Sequence, residues 1–506
     1  MNSKWLGPLT FVVLWLAFQA LGERFLHDPG FFWHITTGEI LLHQGFITQD
    51  PYTFTFAGTH WIPHQWLGEI GMALVHRIGG FDSVLVCTTA IAAGLIAWLG
   101  TRFVRIGLHP IFALGLLLLA LAGTSNHFHV RPLLFTMLAM AWTMNRLIAF
   151  EAGRIEWKSL AWFIPVYVIW TNIHGGMLGG LGTFGIALAG WAAFRVIGWP
   201  SPIDGPKTFL GLSAIFALCG LTAFATPYGA DLPRTWLLIM NMPKLPDLII
   251  EHARFRFSDP LGWPMLTFAG FYLFCLCGLK HKPRVVWLLP LVWLAQALLR
   301  VRHGSLFTIV GMVALADLWP QTRWAQWLAV KRPDAYSPVI SERPAARGIA
   351  ITALVCVSLA LILQGFGVRL PLIGTGSAKL DNKTWPMESL DAIREYEPKS
   401  PGQTAKIFNE YSDGGFLSYY APNYRVFVDD RCEVFGEDWL EEFVKAGETQ
   451  EGTEAAMERW QKQYGRFDFA LARTGSEFDK YFAARPAEWE RKHATPTANF
   501  YAHRLP

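Results

Sequence analysis

The stretch Leu26-His27-Asp28-Pro29-Gly30-Phe31-Phe32-Trp33-His34 continues through Gln49-Asp50-Pro51-Tyr52 to Trp61-Ile62-Pro63-His64-Gln65-Trp66-Leu67-Gly68-Glu69, just after the first apolar segment. It is too polar to cross a bilayer and too apolar to be a solvated linker. Acids and histidines stand beside runs of Phe and Trp, a composition suited to the membrane–water boundary, where aromatic rings and amphipathic helices are both stable. The stretch reads as an active-site loop, residues 23–81, and the rest of the chain as the frame that holds it.

The frame is a membrane protein by composition. Of 506 residues, 52% are hydrophobic and only 16% charged, with 23 Trp and 37 Phe, far from a soluble globular average. The net charge of +4 is spread over short basic clusters between apolar runs. That pattern reports topology and speaks against a nucleic-acid partner, which favours one continuous basic face.

About eleven stretches approach the roughly 20 apolar residues a spanning helix needs. They are Trp5–Gly22, Asp82–Gly100, Pro110–Gly123, Arg131–Phe150, Leu160–Ile173, Met177–Val196, Phe209–Ala225, Leu261–Leu279, Val285–Leu299, Leu306–Trp319 and Gly348–Phe366. With a cytoplasmic N-terminus, alternate loops carry Arg102 and Arg105, then Arg154 and Lys158, then Arg195 and Lys207, then Lys280, Lys282 and Arg284, then Arg323, Lys331, Arg332, Arg343 and Arg347. All are basic, as the positive-inside rule requires. The opening loop and the C-terminal region then lie outside the cytoplasm, and the expected location is a bacterial inner membrane. The first segment lacks an A-x-A cleavage site and reads as a retained anchor. Five cysteines fall inside predicted spans and Cys432 stands alone, a pattern without disulfides or metal spacing.

Beyond residue 366 the apolar runs shorten and charge rises, so residues 367–506 form a second domain beside the transmembrane domain 1–366. Strand-like runs at Ala405–Tyr411, Tyr424–Asp429, Phe467–Arg473 and Phe500–Leu505 alternate with helical patterns at Met387–Tyr396, Glu437–Ala446, Glu454–Tyr464 and Glu477–Ala484, which predicts a small α/β domain.

The outer face gathers many polar groups besides those of the loop. They are Asn126, His127, His129 and Arg131; Asn172 and His174; Glu251, His252, Arg254 and Arg256; and Arg300, Arg302 and His303. Ionisable groups at a membrane edge are costly and usually face a cavity or a partner. Singly, each arginine reads equally well as snorkelling to headgroups and each histidine as a satisfied interfacial residue. Anchoring alone does not require acids and bases on the same face as several arginines. The chemistry that fits is transfer of a group from a lipid phosphate. Arginine suits phosphate oxygens, and an acceptor hydroxyl needs a carboxylate base. Asp28 is the first candidate for that base, with Asp50 and Glu69 behind it. The candidate binding residues are His34, His64, His129, Arg131, His174, Glu251, Arg254, Arg256, Arg300, Arg302 and His303.

A first span, a large external loop with an acid near its start, and the amphipathic helix Trp33-His34-x-x-x-Gly38-Glu39 together resemble the GT-C class of integral-membrane glycosyltransferases, in particular bacterial relatives of the protein O-mannosyltransferases. Trp170-Thr171-Asn172-Ile173-His174-Gly175-Gly176, Thr226-Pro227-Tyr228-Gly229 and Asn409-x-x-Ser412-Asp413-Gly414-Gly415-Phe416 also resemble segments of a group of bacterial membrane proteins with this layout. The resemblance implies a sugar carried on a polyprenyl phosphate or diphosphate and an acceptor protein, lipid or glycan. It gives Asp28 the acidic role, as base or metal ligand. Many members have adjacent acids here, whereas Asp28 is followed by Pro29, so a divalent metal ion is left open. The glycines after His174 read first as close helix packing, and Asp429-Asp430-Arg431 as either an acceptor site or a local ion pair. A transporter or an inert scaffold displaying the outer domain is the alternative; a transporter would carry its charges near span centres.

Overall fold

The computed structural model describes residues 3–338 and 345–504. Arg343 of the fifth basic loop and Leu505 of the last predicted strand lie outside the described residues. A helix forms over every predicted span: Ser3–Ala20, Phe81–Arg105, Pro110–Thr124, Leu133–Glu151, Phe163–Ile173, Met177–Val196, Pro206–Leu221, Trp263–Cys277, Val285–Leu299, Gly304–Leu318 and Ala345–Gly365. Among the described residues, seven helical stretches are long and apolar enough to cross a membrane, whereas Trp5–Ala20, Trp263–Cys277 and Val285–Leu299 are shorter apolar helices. Phe163–Ile173 is prolonged at its start by the 3₁₀ turn Trp157–Trp162. Short spans of this kind are accommodated by bilayer thinning and by flanking residues that reach the interface.

Two compact units arise. The first is Met1–Gly22, Ile78–Ala230 and Ile249–Ser377; the second is Glu23–Arg77, Asp231–Leu248 and Ala378–Pro506. Residues 23–77, read from sequence with the transmembrane part, thus pack in the same unit as the C-terminal residues.

In the first unit, Phe81–Arg105 and Val301–Gln321 are central, each 78% buried over its apolar window, and Ala346–Gly365 is peripheral at 11%. Composition explains the difference. Ala92, Ala93, Ala97 and Gly100 let neighbours approach Phe81–Arg105 closely, while Leu354, Leu359 and Ile362 of the last helix remain exposed, as lipid-facing residues do. Polar groups inside the bundle are satisfied across helices: Gln19 Nε2 donates to Thr89 Oγ1 (2.7 Å) and Ser83 Oγ to Gln364 Oε1 (2.7 Å). The glycines after His174 serve packing. A Cβ at Gly176 would strike Thr136, one at Gly179 would strike Trp293, and one at Gly180 would strike Trp170.

The second unit is built on a five-stranded sheet of order β2-β1-β3-β5-β4, with β1 Ala405–Asn409, β2 Tyr424–Val426, β3 Phe469–Arg473, β4 Trp489–Ala494 and β5 Ala498–His503. β1 pairs in parallel with β2 and β3, and β5 runs antiparallel to β3 and β4. Gly414–Tyr420 joins β1 to β2, and Glu437–Ala446 with Gln450–Tyr464 joins β2 to β3. Both are crossovers of the kind parallel pairs need. The core is aromatic, with Phe408, Phe427, Trp460 and Phe478 in mutual contact. β4 is a strand the sequence does not announce. Its Trp-Glu-Arg-Lys-His-Ala run is charged because β4 is an edge, where charge blocks pairing with other chains.

The loop residues complete this sheet. Thr53 bridges in parallel to Val426; Val426 N donates to Tyr52 O and Phe54 N to Val426 O, each at 3.1 Å. Two loop helices, Gly30–Gln44 and Trp66–Gly79, cross at Gly38, where a Cβ would collide with the Glu69 carbonyl and Ala73. Gly38→Ala is therefore expected to cost about 1–3 kcal/mol through forced separation of the helices. A lowered thermal midpoint checks it, and a midpoint equal to wild type contradicts the close crossing.

Candidate functional site

In the second unit, the loop acids sit in three separate settings. Asp28 is 5% exposed, and its Oδ1 accepts from Gly30 N at 2.8 Å, the local turn that an Asp-Pro-Gly sequence favours. Asp50 lies in a buried ion network. Its Oδ1 accepts from Arg431 Nη2 at 2.6 Å and from Tyr52 N at 3.2 Å, and its Oδ2 from Thr53 N and Oγ1 at 3.0 and 2.5 Å. Arg431 also holds Asp429, through Nε at 2.9 Å and Nη2 at 2.6 Å, and stacks over Trp61 (4.4 Å) and Tyr52 (4.7 Å). Burial by itself would depress the guanidinium, but Asp429 and Asp50 outweigh it and raise its pKa above the usual range. The local-pair interpretation of Asp429-Asp430-Arg431 is thus realised, with Asp50 as an additional partner. Asp430 itself accepts from Trp33 Nε1 at 2.8 Å.

Glu69 and His34 form the third setting. His34 Nδ1 lies 3.0 Å from Glu69 Oε1, both at most 2% exposed, and Glu69 Oε2 is buried without a hydrogen-bond partner among the described residues. Burial, and then the nearby Glu433, push the Glu69 carboxyl well above its ordinary pKa against the pull of Arg431. His64 faces the same Glu433 at 3.7 Å and is held below its ordinary value by burial. A pH signature follows from Glu69. Its raised folded pKa means that its contribution to stability is complete below the ordinary carboxylate range and is lost as pH rises through the raised value. Glu69→Gln keeps a neutral hydrogen-bonding group, so its thermal midpoint relative to wild type is expected to climb as pH rises above the ordinary carboxylate range. A difference that stays flat as pH rises contradicts a neutral Glu69.

In the first unit, the structure gathers polar groups from two span ends. Arg131 precedes Leu133–Glu151, and Arg300, Arg302 and His303 precede or open Gly304–Leu318. Segment 250–255 lies against residues 298–303, with Val301 N donating to Ala253 O at 2.9 Å and Phe255 N to Leu298 O at 3.1 Å. Arg131 Nη1 is 3.6 Å from Glu251 Oε2. Burial acts to raise Glu251, but Arg131, Arg302 and His127, with His129, outweigh it and hold the carboxyl below its ordinary range. Arg302 Nη1 donates to His252 Nε2 at 2.7 Å, so His252 carries its proton on Nδ1, which is buried and has no hydrogen-bond partner among the described residues. Burial and the Arg302 and Arg300 charges push His252 down to about 3.

His129, Arg131, Glu251, Arg300, Arg302 and His303 therefore come together, joined by His127 and His252. Arg254 and Arg256 are exposed and form no ion pair among the described residues. His174 stands elsewhere in the unit: its Nδ1 accepts from Thr136 Oγ1 and Gly176 N, each at 2.9 Å, a structural task that fixes the Trp170–Gly180 turn. His127 and His252 lie in the segments that precede Leu133–Glu151 and Trp263–Cys277. Burial by the folded segment is what makes His252 a neutral donor. No three His, Cys, Asp or Glu side chains form a metal-holding group among the described residues, and the Asp50 carboxylate is taken up by Arg431 and Thr53.

No protein-family model and no curated protein matches the chain. Solved structures do. The oligosaccharyltransferase of Archaeoglobus fulgidus, tethered to an acceptor peptide with the NVT sequon, superposes with a TM-score of 0.50 at 12% identity, over 98% of this chain and 74% of that one. The archaeal oligosaccharyltransferase AglB from A. fulgidus, in complex with an inhibitory peptide and a dolichol-phosphate, gives 0.45 at 13% identity, over 100% and 75%. ArnT from Cupriavidus metallidurans bound to undecaprenyl phosphate gives 0.43 at 13% identity, over 99% and 98%. The chain is a multi-pass membrane protein with the GT-C fold.

Proposed function

We propose that this protein is a membrane glycosyltransferase that moves a sugar from a polyprenyl-phosphate or polyprenyl-diphosphate carrier to a hydroxyl of an extracytoplasmic protein, lipid or glycan. The observation that carries this reading is the cationic cluster at the two span ends, where Arg131, Arg300 and Arg302 outnumber the one carboxylate, Glu251. A carrier lipid keeps its phosphate at the interface, where guanidinium donors match its oxygens. The fold shared with an oligosaccharyltransferase supports the same reaction class. A bacterial inner membrane, with the N-terminus cytoplasmic and the C-terminal unit outside, completes the reading.

In the reaction, Asp28 takes the proton from the acceptor hydroxyl. The acceptor oxygen forms the new bond to the sugar's anomeric carbon, the bond from that carbon to the phosphate oxygen breaks, and its electron pair leaves with the lipid phosphate. Charge develops on that phosphate, so the arginines supply the larger part of the catalysis. His252 Nδ1–H and the Arg302 guanidinium are the assigned donors to the leaving group.

Arg302→Ala is expected to weaken carrier binding about tenfold to a hundredfold, the loss of a charged hydrogen bond. Titration of a polyprenyl-phosphate sugar into protein in lipid nanodiscs measures it. Unchanged affinity removes the cluster from the carrier site.

A further inference from the structure

We propose that the opposite end of the helical bundle holds a second lipid site, which binds the phosphate headgroup of an anionic membrane lipid. A cavity of about 460 Å³ lies there, lined among others by Trp98, Arg102, Arg105, Asn145, Arg154 and Asp317. These residues belong to the C-terminal ends of Phe81–Arg105, Leu133–Glu151 and Gly304–Leu318, or directly follow them. About 20 Å of helix separates His303 from Asp317 and Arg131 from Asn145, so the cavity is distinct from the outer cluster. It lies on the side of the basic loops, which the positive-inside rule makes cytoplasmic.

The cavity's charge is unbalanced, with three guanidiniums facing a single carboxylate. That carboxylate is already engaged: Asp317 Oδ1 accepts from Arg154 Nη1 at 2.9 Å, and Oδ2 from Arg284 Nη1 at 3.0 Å and Trp287 Nε1 at 3.1 Å. Arg102 donates Nη1 to Asn145 Oδ1 at 2.6 Å and lies 4.8 Å over Trp98, while its Nε is buried with no hydrogen-bond partner among the described residues. Arg105 makes no side-chain hydrogen bond or ion pair among the described residues. A phosphate diester accepts from several such donors at once. The wall also presents apolar surface from Trp98, Ile106 and Ala149, which suits the start of an acyl chain better than a soluble anion. Basic pockets between helices on this side of a membrane are where anionic headgroups settle. The inference rests on the membrane reading and is independent of the glycosyltransferase assignment.

The test is retention of added lipid by the detergent-solubilised full-length protein, counted by native mass spectrometry with phosphatidylglycerol or phosphatidylcholine as probe. Phosphatidylglycerol is expected to be retained over phosphatidylcholine. Retention is expected to fall about fivefold for each of Arg102→Gln and Arg105→Gln, and to resist excess glycerol 3-phosphate. Equal retention of the two lipids by wild type overturns the proposal without any variant. So does full retention by Arg105→Gln, whose side chain is part-exposed. Displacement by glycerol 3-phosphate overturns the lipid assignment in favour of a soluble phosphate.

Discussion

Asp28→Asn is expected to fold, to bind the lipid carrier as wild type does, and to lose transfer by about a hundredfold to ten-thousandfold, the contribution of a general base. The substitution is selective because Asp28 has a structural task as well. Its Oδ1 accepts from Gly30 N and shapes the turn that starts the helix Gly30–Gln44. Asparagine keeps that acceptor oxygen in place and removes only the basicity. Single-turnover transfer at saturating donor, beside a donor-binding titration, separates the two tasks. Loss of both binding and transfer would mean the turn has collapsed, and full transfer would leave Asp28 as nothing more than the residue that makes the turn.

Arg431→Ala carries the largest expected cost to stability, about 3–5 kcal/mol, because it leaves carboxylates buried without their counter-charge. Arg431 is 1% exposed, and its Nη2 alone reaches both Asp50 Oδ1 and Asp429 Oδ2 at 2.6 Å. Its stacking on Trp61 and Tyr52 is lost as well. The chain has two units and need not unfold in one step, so the readout is local: hydrogen exchange of the amides of Phe54 and Val426, which bond across the bridge between loop and sheet. Faster exchange at both is expected. Replacing Arg431 by Met together with Asp50→Asn and Asp429→Asn is expected to recover most of the loss, since no bare charge then remains buried. Exchange unchanged in Arg431→Ala contradicts a structural ion network.

How legible these features are from sequence depends on how local their causes are. Spans are local: a long apolar run bounded by basic loops declares itself, and all eleven predicted segments are helical. The arginine cluster is nearly so, because Arg131, Glu251 and Arg302 stand beside the ends of apolar spans that are legible by themselves. Asp50 is different. As a loop acid near Trp and His it reads as a candidate base, and the guanidinium that engages it lies 381 positions further along the chain. Nothing local marks Arg431 as its partner. The neutral state of His252 is equally non-local, set by Arg302 fifty positions away and by burial. The same holds for Gly415, whose motif looks functional by composition. A Cβ there would meet the Pro29 carbonyl and Trp33, so this glycine lets Gly414–Tyr420 pack against the loop helix. β4 escaped because an edge strand hides behind charge.

The most direct test is label transfer by purified full-length protein in lipid nanodiscs, supplied with a panel of radiolabelled polyprenyl-phosphate and polyprenyl-diphosphate sugars and with membrane extract as acceptor. The account predicts that at least one carrier loses its label to the acceptor fraction, that Asp28→Asn abolishes this transfer, and that Arg302→Ala raises the donor concentration it requires. Transfer by Asp28→Asn at the wild-type rate, or wild-type protein that neither binds nor consumes any carrier in the panel, contradicts it.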